Sequence, residues 1–281
     1  MCKKNVIKFS VLMSVYIKEN PDFLDLSLKS VLVEQSLIPN ELVIICDGEL
    51  TKELNEIIYK YQNQFKDIVK VYGYKDNRGL GKALNYGLEK CTFDYVARHD
   101  SDDVCAYNRF EKQIEFFENN QDISVLGTFI DEFDKDYNRP LSIKKMPTTN
   151  DKIIKYSKSR NPINHMTVMF KKDKVIESGS YIDLKYMEDY YLWIRMINHG
   201  IKFHNLDMIG VHARVGNGMF DRRGKKGCIK SRKVIGKYML DNRMINKFTY
   251  LKNITLMITY TFVPSFIKKA TYKILLRNKE V

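Results

Sequence analysis

No Cys-x-x-Cys pair occurs in this sequence of 281 residues. The five cysteines, Cys2, Cys46, Cys91, Cys105 and Cys228, are scattered, which argues against paired thiols and fits buried free thiols in a reducing cytoplasm. The opening Met1-Cys2-Lys3-Lys4-Asn5 runs straight into a strand pattern and lacks the apolar core of a secretory leader, so a cytoplasmic protein is expected. Internal repeats and low-complexity stretches are also missing. So is any net charge in the first 215 residues, where 31 basic residues meet 31 acidic ones. The whole excess of +13 falls in Gly216–Val281, with 16 Lys or Arg against 3 Asp or Glu. The body is therefore no nucleic-acid surface by composition, and nucleic acid is not an expected partner. The tail can face anionic lipid or a phosphate-bearing substrate.

What is present is an alternation. Phe9–Val15 is an apolar run of strand length, followed by Asn20-Pro21-Asp22 as a helix start and by Leu24, Leu28, Val31 and Leu32 at helical spacing. Leu42–Cys46 is a continuous apolar strand, as expected when both sheet faces are covered. Thr51–Tyr61 predicts a helix, Ile68–Tyr74 a strand, Gly81–Glu89 a short helix, Tyr95–Arg98 a strand and Arg109–Asn119 a helix. The first 120 residues thus read as an α/β parallel sheet wound in the right-handed sense. Beyond them, Ser124–Ile130, Met166–Lys171, Ile201–Asn205 and Ile209–Arg214 are expected strands. Asp151–Ser157 and Glu188–Asn198 are expected helices.

Chemistry concentrates at the strand ends, where open α/β sheets bind ligands. Asp100, Asp102 and Asp103 crowd together directly after the strand Tyr95–Arg98. Three such charges repel one another and call for a cation. Their all-oxygen donor set points to Mg²⁺ or Mn²⁺ holding a diphosphate rather than to zinc. The plainer alternative is an acidic loop or helix cap. Three more strand ends carry polar groups: Ser14-Val15-Tyr16, Asp47, and Asp76-Asn77-Arg78-Gly79. Tyr16 can stack on a base, and Asp47 can accept from a base N–H or a ribose hydroxyl. The run Gly79-Leu80-Gly81-Lys82-Ala83 is neither a Walker A loop nor a dinucleotide fingerprint. It reads as a tight turn feeding a helix whose Lys82 either meets a phosphate or is solvated. Farther on, Glu188 and Asp189 open a helix. Acidic residues favour helix N-termini in any case, but beside a metal–nucleotide site a carboxylate here can act as a general base toward an acceptor hydroxyl.

Taken in order, these motifs resemble those of the inverting family-2 glycosyltransferases, including bacterial capsule and exopolysaccharide transferases. The matching residues are Ser10–Tyr16, Asp47-Gly48, Asn77–Gly87, Asp100–Asp103 with Arg109, and Glu188-Asp189 with Leu192 and Arg195. The resemblance covers about residues 8–215. It implies a GT-A-type, Rossmann-like, mostly parallel central sheet flanked by helices. It also implies roles. Ser14 and Tyr16 would line the nucleoside pocket, Asp47 would contact uracil or ribose, and Asp100 would approach the ribose or sugar. Asp102 would bind the divalent metal, Asp189 would be the base, and Glu188 would position it or the acceptor. Two departures matter. Ser14-Val15-Tyr16-Ile17 stands where the family often has Pro-Thr/Ser-Tyr-Asn, and Leu84 stands where it often has Arg, so pyrophosphate contact would fall to Lys82 or Arg78. Whether His212 meets metal or pyrophosphate is left open by the sequence. Asn161–Thr167 resembles a segment of the capsule transferases that could line the acceptor cleft, and is equally readable as a turn.

The expected organisation is a catalytic domain over 1–215, with a nucleotide half at about 1–110 and an acceptor half at about 111–215. A basic, amphipathic helical extension follows over 216–281. Within it, the apolar stretch Ile254–Ile267 is too short to span ~30 Å of hydrocarbon and contains Pro264. An interfacial segment on the inner face of the cell membrane is expected, with packing against the domain as the alternative. The expected activity is metal-dependent transfer from a UDP-sugar to a lipid-diphosphate-linked saccharide. A sugar nucleotidyltransferase and an inactive membrane adaptor are the rival readings.

Overall fold

Phe9–Val15 forms β1 because its alternate residues serve two different cores. Val11, Met13 and Val15 join one apolar cluster and Leu12 the other. Glu41–Asp47 (β2) does the same, with Leu42 and Ile44 on one side and Val43 and Ile45 on the other. A strand covered on both faces needs such an uninterrupted apolar run. The computed structural model describes residues 7–215 and 226–263, apart from the side chains of Lys226, Tyr260 and Phe262.

Between β1 and β2 lies α1 (Pro21–Leu32), with Pro21 in its first turn. The Asn20 side chain caps it, accepting from the Asp22 N–H at 2.8 Å. Then come α2 (Lys52–Gln64), β3 (Val69–Tyr74), α3 (Leu80–Lys90), β4 (Tyr95–Arg98), the two-residue β5 (Val104–Cys105) and α4 (Arg109–Asn119). Helices α1, α2 and α4 cover one face of the sheet. The other face is covered by α3, α5 (Asn150–Ser157) and α7 (Glu188–Asn198), around the fully buried Trp193.

Four more strands complete the sheet: β6 (Ile123–Phe133), β7 (Ser142–Lys144), β8 (Met169–Lys171) and β9 (Lys202–Arg214). The order is β3-β2-β1-β4-β8-β6-β9-β5, with β7 paired to β6. β3, β2, β1 and β4 are mutually parallel, and the long β6–β9 ladder is parallel too. β8 runs antiparallel to both β4 and β6, and β5 antiparallel to β9. The sheet is therefore mixed but mostly parallel. Because β1 to β4 all point the same way, their carboxyl ends bring Ser14–Tyr16, Asp47, Asp76–Gly79 and Asp100–Asp103 to one rim.

The two short strands expected over 201–214 are one strand. The polar stretch at Asn205–Asp207 interrupts its apolar pattern, and the register shifts there between Leu206 and Ile209, where a bulge absorbs the extra residues. The strand expected from Met166 begins only at Met169. A 3-10 turn at His165–Thr167 precedes it, held by Thr167 Oγ1 donating to the Asn164 carbonyl at 2.9 Å. Such side-chain bonds compete with a strand ladder. Helix α6 (Lys172–Glu177) had no counterpart in the sequence reading.

In the tail, α8 (Lys226–Asp241) and α9 (Lys247–Phe262) follow one another. Ile235 and Met239 of α8 share an apolar cluster with Tyr190 and Ile194 of α7, so α8 packs on the domain. The basic run at 222–225, Pro264 and Lys268-Lys269 lie outside the described residues. Among those described, no helix is long and apolar enough to cross a membrane.

Candidate active site

The rim is built around Asp47, which ends β2 almost fully buried. Its Oδ1 accepts from the Tyr74 hydroxyl and the Arg78 N–H, both at 2.7 Å. Its Oδ2 accepts from Asn77 Nδ2 and the Gly79 N–H, both at 3.0 Å. Four donors match the lone-pair capacity of a carboxylate. Asp47 thus folds the 74–79 loop onto the rim. Gly79 closes that loop with φ at 87°, a conformation that favours glycine, and leads into α3, whose N-terminus carries no side-chain cap. Lys82 sits in that first turn, exposed and 3.7 Å from Asp183. Ser14 is half-buried at the end of β1, and Tyr16 is 38 % exposed just beyond it.

The acidic cluster is held from both sides. Asp100 is ion-paired to the buried Arg98. The Arg98 carbonyl in turn accepts from Arg109 Nη2 at 2.7 Å, which pins the end of β4 to α4. His99 lies against Arg109 Nη1 at 3.2 Å. A guanidinium only donates, so Nδ1 accepts and the proton sits on Nε2. Burial and the two flanking arginines keep this imidazole neutral. From the end of β9, the Arg214 N–H donates to Asp103 Oδ1 at 2.8 Å, and Arg214 Nε donates to the Asp102 carbonyl at 3.1 Å. Ser101 donates to Glu19 at 2.5 Å.

Asp100, Asp102 and Asp103 each place an oxygen within 4.8 Å of the others. Burial, then Asp100 and Glu19, push Asp102 up to about 7. Burial, then Asp102 and Asp100, hold Asp103 well above the carboxylate range. Asp103 Oδ2 is buried without a hydrogen-bond partner. Crowded, partly unsatisfied, all-oxygen ligands fit a hard divalent cation. Asp102, with Asp100 and Asp103 Oδ2 beside it, would hold it.

A second pair of carboxylates opens α7. Asp189 Oδ2 accepts from Asn161 Nδ2 at 2.6 Å, and Oδ1 from the Tyr190 N–H at 2.7 Å. Burial raises this carboxyl, against the lowering effect of those two donors, Arg98 and Lys144. Glu188 is pushed up to about 7, first by burial and then by Asp189, with Arg98 opposing and Asp100 adding to the rise. A Cβ placed on Gly81 would lie 3.6 Å from that of Glu188, so α3 and α7 meet here. Arg98 acts on both carboxylate groups, which the fold brings into one field.

His212, left open by the sequence, pairs with Asp131 across the β6–β9 ladder, its Nδ1 2.9 Å from both carboxylate oxygens. Sequence reasoning missed Arg98, Asn161 and Arg214 as parts of the site. Asn161 was visible only within a segment that resembles one of the capsule transferases or reads as a turn, with no chemistry assigned to it, and nothing in the local spacing marks Arg214.

A family model for glycosyl transferase family 2 matches residues 10–176. The chain belongs to that family. Like the family's other members, it is a glycosyltransferase. It is 40 % identical to the amylovoran biosynthesis glycosyltransferase AmsE of Erwinia amylovora, over 79 % of this chain and 82 % of that one. It is 39 % identical to the UDP-Gal:alpha-D-GlcNAc-diphosphoundecaprenol beta-1,3-galactosyltransferase of Escherichia coli, over 77 % of this chain and 78 % of that one. The fold is similar to S. aureus TarS 1-349 in complex with UDP-GlcNAc, with TM-score 0.67 at 18 % identity, covering 96 % of this chain and 77 % of that one. The chain spans 46 % of the longer TarS chain.

Proposed function

We propose that this glycosyltransferase inverts the anomeric centre of a UDP-sugar. It transfers the sugar to a hydroxyl of a lipid-diphosphate-linked saccharide during surface-polysaccharide or lipopolysaccharide synthesis, with Mn²⁺ or Mg²⁺ at Asp102. One observation carries the reading: the carboxylate of Asp189, fixed by Asn161 and its own helix, shares the field of Arg98 with the Asp100–Asp103 cluster. The donor and acceptor classes are supported by what the galactosyltransferase relative is named for and by the UDP-GlcNAc complex of TarS.

In this reading residues of about 1–110 hold the donor and those of about 111–215 the acceptor. Tyr16 and Ser14 line the nucleoside, and Asp47 acts by holding Arg78 and Gly79 in place. The uncapped N–H groups of α3 and Lys82 face the diphosphate. Asp100 approaches the ribose or sugar. Asp102, with Asp100 and Asp103, would hold the cation, which would supply charge neutralisation to the departing nucleoside diphosphate. Asp189 accepts the acceptor hydroxyl proton as that oxygen bonds to the anomeric carbon and the carbon–phosphate-oxygen bond breaks. Attack comes from the face opposite the leaving group, so one base suffices. Burial makes Asp189 a stronger base than a solvated carboxylate, and Glu188 beside it orients the acceptor. A lipid-linked acceptor places the protein peripherally at the inner face of the cell membrane.

Proton NMR of the product tests the stereochemistry: an α-linked donor should give a β-linked product, and retention would overturn the single-base mechanism. Asn161→Ala provides a second check. Its hydrogen bond favours the charged Asp189, so its loss raises the Asp189 pKa. The acid limb of kcat/KM should move to higher pH and kcat should fall about tenfold. An unmoved limb would detach Asn161 from the base.

A further inference from the structure

We infer that the outer face of α8 and α9 is a docking surface for an anionic lipid bilayer. The inference rests on the membrane-bound acceptor proposed above and identifies the part of the chain that reaches the membrane.

A helix lying on a soluble domain turns its apolar side inward and its polar side out. α9 also exposes large apolar residues on its outer side, interspersed with Lys252, Thr255 and Thr259. Its inner side is fixed: Tyr250 packs into the cluster of Ile235 and Met239, and the buried Asn253 donates to the Lys158 carbonyl at 2.8 Å. That contact fixes which residues face out. Phe248 is 75 % exposed, Leu251 61 %, Leu256 58 % and Ile258 38 %. Phe248, Leu251 and Ile258 fall at i, i+3 and i+10, one stripe along a helix ~24 Å long. The helix contains no Asp or Glu.

The adjoining helix supplies the charge. Lys230, Lys233 and Lys237 are exposed on α8 at i, i+3 and i+7. From Lys226 to Val263 the sequence has eight basic residues and one acidic one, Asp241. An apolar stripe beside a row of lysines matches an acyl boundary beside anionic headgroups. The same charge disfavours a second copy of the chain on this face, since two basic hairpins would repel.

The test uses the full chain and sedimentation with vesicles of phosphatidylcholine, with and without phosphatidylglycerol. Neither donor nor saccharide acceptor is present, so docking and transfer can fail separately. The protein should sediment with the phosphatidylglycerol vesicles and far less with phosphatidylcholine alone. Phe248→Ser/Leu251→Ser should weaken binding by about tenfold or more at every salt concentration. Lys230→Gln/Lys233→Gln/Lys237→Gln should weaken it at low salt and flatten the salt dependence. Both variants should melt as the parent does and keep transfer to a soluble acceptor, which shows that they fold. Equal sedimentation of the serine variant and the parent would overturn the inference. So would indifference to phosphatidylglycerol. So would a dimer seen by light scattering that the serine variant splits, which would give the face to a second copy.

Discussion

Asp189→Asn should abolish sugar transfer, lowering kcat by about 10³–10⁴-fold, while UDP-sugar affinity stays within about threefold. The amide keeps the shape of the carboxylate and one of its two oxygens, so one of the two donors, Asn161 Nδ2 or the Tyr190 N–H, keeps its acceptor while the other meets the new NH2, and α7 keeps its packing around Trp193. What is lost is the lone pair that takes the acceptor proton. Donor binding is assigned to the rim at the ends of β1 to β4 and is left untouched. Steady-state kinetics with calorimetry of the nucleotide separates the two effects. Turnover at the parent rate would remove Asp189 as the base. A parallel loss of donor affinity would move it to the donor site.

Asp102→Asn should weaken Mn²⁺-dependent UDP binding about 100-fold and make the metal-free protein more stable at neutral pH. Asp102 is raised to about 7 by burial, Asp100 and Glu19, above its ordinary value near 3.8. Between those values the native state holds a proton that the unfolded chain has released. Metal-free stability therefore falls as pH rises from about 4 through 7. The asparagine removes that loss, and added Mn²⁺ should offset it in the parent but not in the variant. Thermal melts at pH 5.5 and 7.5, each with and without Mn²⁺, read all four terms. A parent melting point that rises with pH without metal would contradict the crowding of Asp100, Asp102 and Asp103.

The first four strands were legible because a sheet covered on both faces leaves runs such as Leu42–Cys46 that no other element explains. The acidic cluster was legible because its three carboxylates are neighbours in sequence. The proposed base was legible as two acids at a helix start. The partners that tune these groups were not. Arg214 reaches Asp103 across 111 residues and Asn161 reaches Asp189 across 28. Such pairs depend on which strands lie side by side, which local spacing does not encode. Asp47 makes the same point in reverse. Its place at a strand end was plain, but that four protein donors would fill its carboxylate was not.

The sequence by itself determined the order of the first four strands and the helices between them, the rim on which polar residues collect, the family resemblance and the concentration of charge in the tail, because each is written in neighbouring residues. Only the tertiary structure decided that β8 enters antiparallel between β4 and β6, and that Arg98 stands between two carboxylate groups. It likewise decided that His212 pairs with Asp131, and that α9 packs Tyr250 against α8 while Phe248, Leu251 and Ile258 stay exposed. Those outcomes follow from burial and long-range pairing, where a residue's surroundings come from distant parts of the chain.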